Sequence, residues 1–134
     1  MSKSAPSADS RILLTDTPTV ISKKLRSAVT DSERVLTYDA VHRPGVSNLI
    51  DILSACTGAS IDDIVRRLDG KGHSDLKTET AEALVGLFDG PRKEFEKLRE
   101  DEAYVKQVMT DGAEKARVIA RGTLREVKER IGLA

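Results

Sequence analysis

The chain has 134 residues, of which 39% are apolar and 3% aromatic, with no tryptophan. That is enough for one compact domain with its own core and too little to add a nucleotide-binding sheet, and a core of Leu, Ile, Val and Ala without large rings favours closely packed helices, an all-α fold. Net charge is zero but unevenly placed: residues 1–43 carry 7 basic and 5 acidic groups, 44–112 carry 9 and 14, and 113–134 carry 6 and 3, so both ends permit contact with a polyanion.

Residues 1–10 are small and polar and are broken by Pro6, the composition of a flexible N-terminal loop. Arg11-Ile12-Leu13-Leu14 is too short to assign by period. Thr17 then reads as an N-cap with Pro18 at the first helical position. Val20, Ile21, Leu25, Ala28 and Val29 give one apolar face, which predicts a helix to about Thr30. Asp31 to Gly45 reads as a connecting loop ending in His42-Arg43-Pro44-Gly45. From Val46 the run Leu49, Ile50, Ile52, Leu53, Ala55, Cys56 is apolar on most sides, which predicts a core helix stopped by Gly58.

Ser60-Ile61-Asp62-Asp63 resembles a capping box and opens a short helix through Ile64, Val65 and Leu68 that stops at Gly70. Ser74 is expected to cap a helix whose Ala81, Leu84, Leu87 and Phe88 share a side. Gly90-Pro91 is expected to restart the chain into another bearing Phe95 and Leu98, and Asp101 to cap a turn through Tyr104, Val105, Val108 and Met109. The last helix is the most legible. At 100° per residue, Ala113, Ala116, Ala120, Leu124, Val127 and Ile131 fall within one arc of about 80°. Its small residues come first, so that end could approach a neighbour closely.

Cys56 is the single cysteine, reads as a small buried hydrophobe and excludes an internal disulfide. No apolar stretch reaches the roughly 18–20 residues that span a bilayer, and the N-terminal residues lack a signal peptide's hydrophobic run. The chain is expected to be soluble and not secreted, with no membrane partner.

Three groups of residues could carry chemistry. On the final helix Arg117, Arg121, Arg125 and Lys128 fall in a second arc of about 80° beside the apolar stripe. Like charges one turn apart repel, and a polyanion would account for them, since guanidinium groups about 6 Å apart can meet successive phosphates and release counterions. A solvated face opposed by acids of a neighbouring helix is the equal alternative. Next, Met1-Ser2-Lys3-Ser4 places an ammonium between two hydroxyls, apt for following the phosphates of ATP, although such strings are also common in disordered termini. Lastly His42 and His73 lie in loops beside Arg43 or Lys71 and read as surface histidines. There is no paired-Cys metal site, no G-x-x-x-x-G-K-[ST] loop and no G-x-S-x-G elbow, so no metal ligand is assigned.

Taken together, Met1-Ser2-Lys3-Ser4, Arg11-Ile12-Leu13-Leu14-Thr15-Asp16, Ala28-Val29-Thr30-Asp31-Ser32, Arg43-Pro44-Gly45-Val46-Ser47-Asn48-Leu49 and Gly112-Ala113-Glu114-Lys115-Ala116 resemble, in order and spacing, the C-terminal part of the tryptophan–tRNA ligases, class I aminoacyl-tRNA synthetases. The R-P-G-V-S-N-L block is the most specific. The resemblance implies that residues 1–16 are the end of the catalytic domain's K-M-S-K-S signature loop and a connector, and that 17–134 are a helical bundle that binds the tRNA anticodon. It implies that Lys3 is catalytic and, with Ser2 and Ser4, contacts ATP phosphates, with Mg²⁺, during tryptophan activation in the full enzyme. It tilts the Arg117, Arg121, Arg125 and Lys128 row toward tRNA. Its further implications are tryptophan tRNA, tryptophan and ATP as partners, a homodimeric full enzyme, and a bacterial cytoplasm or a mitochondrial matrix.

Two features depart from the pattern. Ala5 stands where the family loop usually has Asp, and the loop's first lysine, the H-x-G-H motif and the nucleotide-binding fold are not in these residues. The chain alone is therefore expected not to make tryptophanyl-adenylate. The reading of another class is a free-standing helical adaptor for RNA or protein, derived from such a ligase.

Overall fold

A computed structural model describes residues 7–133. The described residues form one 3-10 turn, Ala8–Ser10, and five α-helices, with no strand, so the fold is all-α. The helices are α1 (Pro18–Ser27), α2 (Pro44–Thr57), α3 (Ile61–Arg67), α4 (His73–Glu100) and α5 (Glu102–Arg130). The chain divides into two compact units, Met1–Lys93 and Glu94–Ala134.

In the first unit, helix starts follow the capping chemistry of the sequence. Thr17 accepts from the Val20 amide at 3.4 Å, and Pro18, whose missing N–H would be unpaired at that position anyway, opens α1. Ser60 accepts from the Asp63 amide at 3.2 Å to open α3. Gly58 and Gly70 both have φ of 74°, the left-handed conformation that a side chain disfavours and that ends a helix.

Several boundaries differ from the predicted ones. Residues 8–10, expected in a flexible loop, form a 3-10 turn because the Ser7 hydroxyl accepts from the Asp9 amide at 3.2 Å. Helix α1 stops at Ser27, since Ala28 turns to ψ 135°. Val29 thereby leaves the helical phase and is 86% exposed, although the sequence pattern grouped it with the buried Ile21 and Leu25. Helix α2 begins at Pro44, two residues earlier than predicted, because proline at N1 is already set for the helix. The predicted break at Gly90-Pro91 is absent. Helix α4 runs through it, and Arg92, just past the proline, is buried and donates to the Asp16 carbonyl. Its start is also set differently: α4 opens at His73, before the Ser74 expected to cap it, and Asp75 in the first turn reaches back to accept from the Gly72 amide at 2.8 Å.

The core of this unit joins all four of its helices. Ile21 and Leu25 of α1, Val46, Leu49, Ile50 and Leu53 of α2, Ile64 of α3, and Leu76, Ala81 and Leu84 of α4 are buried, together with Leu36 and Leu68 from the connections. The predicted core helix is α2, with Asp51 and Ala55 on its one solvent side. Each such Leu or Ile contributes about 2 kcal/mol relative to exposure. Cys56 is half-buried and its thiol titrates above the usual range because burial disfavours the thiolate, consistent with a packing residue.

The second unit contains the end of α4 and the whole of α5. Asp101 accepts from the Tyr104 amide at 2.9 Å and starts a helix of 29 residues. The predicted turn after Asp101 and the predicted final helix are thus one element. Gly112 in its interior costs about 1 kcal/mol relative to alanine, too little to interrupt so long a ladder. No residue of α5 is buried. The stripe ending in Leu124, Val127 and Ile131 is 54%, 47% and 61% exposed, so it packs on no neighbour in the described residues.

Candidate nucleic-acid interface

On α5 the predicted basic row is on the surface. Arg117 reaches back one turn to Glu114 at 2.5 Å, and Arg125 lies 3.9 Å from Glu129, an acid that the helical arc had not grouped with it. Arg121 and Lys128 have no carboxylate partner among the described residues. Both ion pairs join residues of the same helix, and both arginines keep at least half of their side chains in solvent. Such exposed pairs exchange readily for an anion in solution. Among the described residues no acid of another helix pairs with the row. Ser2, Lys3 and Ser4, assigned to the ATP phosphates, lie outside the described residues.

The two histidines part company. His42 is exposed and sits 2.8 Å from Asp39. His73, expected on the surface, opens α4 and is only 19% exposed, with Nε2 3.5 Å from Arg43 and 3.8 Å from Asp31. The described residues contain no cluster of His, Cys, Asp and Glu able to hold a metal. No described helix is long and apolar enough to cross a membrane.

Sequence reasoning missed two buried ionic nodes in the first unit. In one, the buried Arg43 forks onto Asp31 with bonds of 2.9 and 2.7 Å, and its remaining nitrogen donates to the Val35 carbonyl at 2.6 Å and the Thr37 hydroxyl at 2.7 Å. Hydrogen bonding from Arg43 holds the Asp31 carboxyl down, to about 2. The planar guanidinium suits this, because five fixed donors can meet a carboxylate and loop oxygens at once. In the other node, Asp16 accepts from the buried Lys24 ammonium at 2.7 Å and from the Leu13 amide at 2.9 Å, while the buried Arg92 donates to its carbonyl at 3.1 Å. Burial alone would raise the Asp16 pKa, and the Lys24 and Leu13 bonds outweigh it to lower it. This node fastens residues 12–17 to α1 and α4.

These contacts explain the most specific sequence block. Pro44 starts α2; a side-chain carbon on Gly45 would stand 2.4 Å from the Val29 carbonyl oxygen; Val46 and Leu49 enter the core; and Ser47 accepts from the Asp39 amide at 2.9 Å. Arg43 ties the block to Asp31, so the T-D-S and R-P-G-V-S-N-L blocks, separated in sequence, are one piece of scaffold. The available signal was composition: an arginine and an aspartate flanking a polar loop, with nothing to indicate that they meet.

The described residues thus form an all-α scaffold with an exposed basic row on α5. Family comparison gives the class: the chain belongs to the tRNA synthetases class I (W and Y), whose family model matches residues 1–89. More narrowly, it is 40% identical over 133 residues to the tryptophan–tRNA ligase of Enterococcus faecalis, covering 99% of this chain and 39% of that protein. It is 43% identical over 132 residues to that of Corynebacterium efficiens, covering 98% and 38%. A crystal structure of tryptophanyl-tRNA synthetase from Mycoplasma pneumoniae superposes with a TM-score of 0.78 at 29% identity, over 100% of this chain and 41% of that one. The chain thus spans about two fifths of the length of the curated relatives it matches.

Proposed function

We propose that this chain is the C-terminal tRNA-binding part of a ligase that attaches L-tryptophan to its tRNA through an ATP-derived tryptophanyl-adenylate. The observation that carries the reading is the exposed row Arg117, Arg121, Arg125 and Lys128, two members of which lack any carboxylate, on a chain aligned along nearly its whole length with tryptophan–tRNA ligases. Positive groups one turn apart along 12 residues of straight helix track a phosphate backbone, and releasing condensed counterions makes the contact favourable. Arg117 and Arg125 would exchange Glu114 and Glu129 for phosphate oxygens at little cost.

The division of labour follows the domains proposed from the sequence. Residues 1–16 end the signature loop and connect it; residues 17–134 hold the RNA. In the full enzyme Ser2, Lys3 and Ser4 would contact the phosphates of ATP bound with Mg²⁺, Lys3 as the catalytic residue following charge on the transferring group. Asp16, Lys24 and Arg92 would anchor the stretch just after that loop, so the loop works from a fixed base. The full enzyme acts as a homodimer in the cytoplasm or, for an organellar form, the mitochondrial matrix.

Filter binding of this chain to tryptophan tRNA across a salt series tests the reading. Wild type should bind the cognate tRNA more tightly than an anticodon-mutated one. Arg121→Ala with Arg125→Ala should weaken binding and reduce the salt slope by roughly 1.5, from two phosphate contacts at about 0.7–0.9 each. An unchanged slope would remove the row from the interface.

A further inference from the structure

Within the first unit, a cavity of about 330 Å³ opens between α1 and the beginning of α4. Ser22 and Arg26 line it from α1, and Ser74, Lys77, Thr78, Ala81 and Glu82 from α4. None of its lining residues belongs to the α5 row or to either buried ionic node.

Lys77 is the unusual member. The buried cations Lys24, Arg43 and Arg92 each have a carboxylate, respectively Asp16, Asp31 and Asp89. Lys77, half-buried, has none among the described residues, and its ammonium donates to the Arg26 carbonyl at 3.4 Å. The Arg26 guanidinium also has no carboxylate among the described residues, and an adjoining groove that shares Ser22 and Arg26 adds Lys23. Two unpaired cations and three hydroxyls thus converge on a space roughly ten times a water molecule's share of the liquid, about 30 Å³. That donor set suits a tetrahedral oxyanion: the guanidinium can fork onto two oxygens, the ammonium supplies a point charge, and the hydroxyls donate to the rest. The space exceeds what a phosphoryl group alone fills and leaves room for its substituents.

Glu82 narrows the ligand further. Its carboxylate opposes a second negative charge, so a singly charged phosphodiester fits better than a doubly charged phosphate ion. We infer that the α1–α4 cavity is a second RNA contact, one that seats a phosphodiester of the bound strand on Arg26 and Lys77. The inference rests on the chain being an RNA-binding part of the ligase, and it adds a site remote in sequence from the α5 row.

The test is amide NMR on the full 134-residue chain, titrated in separate arms with the anticodon stem-loop of tryptophan tRNA and with inorganic phosphate. The stem-loop should move the Ser22, Ser74 and Thr78 amides at lower concentration than phosphate does. Arg26→Gln with Lys77→Gln should abolish those shifts and weaken stem-loop binding about tenfold or more, two charge-assisted bonds being removed, with an unchanged melting temperature reporting an intact fold. Glu82→Gln should raise phosphate affinity more than stem-loop affinity. Stem-loop binding that moves α5 amides and leaves the cavity amides still would overturn this inference while leaving the proposed function standing. A response to phosphate without one to the stem-loop overturns it also, and binding by neither removes both readings.

Discussion

The two units of this chain put their charge to opposite uses. In the first, Lys24, Arg43 and Arg92 are withdrawn from solvent and matched to carboxylates and carbonyls that hold connecting segments against a core of Leu, Ile and Val. In the second, α5 buries nothing, and its arginines pair only within the helix or not at all. Charge matched internally is a structural element, whereas charge left in water one helical turn apart is available to a ligand. The contrast separates the paired cations of the first unit from the exposed row of α5.

The contrast can be broken most directly by the same substitution in both places. Leu53→Ala should destabilise the first unit by about 3 kcal/mol, since a fully buried leucine loses its contacts and leaves a cavity. Leu124→Ala should change stability by less than about 0.5 kcal/mol, because that side chain is 54% exposed. Urea unfolding followed by helical circular dichroism measures both, and equal losses would mean that α5 is covered in solution. Next in size, Gly45→Ala should cost about 2 kcal/mol, as overpacking against backbone does, with loss of slow amide exchange at the start of α2.

A smaller, pH-dependent effect sharpens the first half of the contrast. The folded-state Asp31 pKa is lowered to about 2 by Arg43, below the ordinary aspartate value of about 3.9. Its contribution to stability is therefore complete above pH ~4 and is lost as pH falls from there toward 2. Thermal melts between pH 5 and pH 2 should show that decline, and Asp31→Asn should flatten it while lowering stability at neutral pH. The α5 variants Arg121→Ala and Arg125→Ala should show no such change, since both side chains are exposed on α5.

Much of the scaffold could be read in advance because its causes are local. Thr17, Ser60 and Asp101 cap helices through atoms two or three residues away, Gly58 and Gly70 stop them through their own backbone angles, and the 3.6-residue period identified Leu49, Ile50 and Leu53 as core. What escaped was non-local. Arg92 meets Asp16 across 76 positions, and Arg43 meets Asp31 across 12; no window of sequence contains both partners with a reason to join them. His73 was misplaced on the surface for the same reason. Local rules also overreached at Gly90-Pro91, where breaker residues were taken as a restart although the surrounding helix tolerates them. The basic row was visible because a helix displays its faces in its own numbering, but its significance as a site came from resemblance, since periodicity alone left an ordinary wet face equally open.

The contact at Gly45 has a consequence for how this fold can vary. Where α2 begins, its backbone lies directly against the Val29 carbonyl, with no side chain as a spacer. The separation between the exit of α1 and the entrance of α2 is therefore fixed by main-chain atoms common to every residue type. Exchange of core side chains can loosen or tighten the interior without resetting that junction, which acts as a built-in gauge block for the angle at which the two helices diverge.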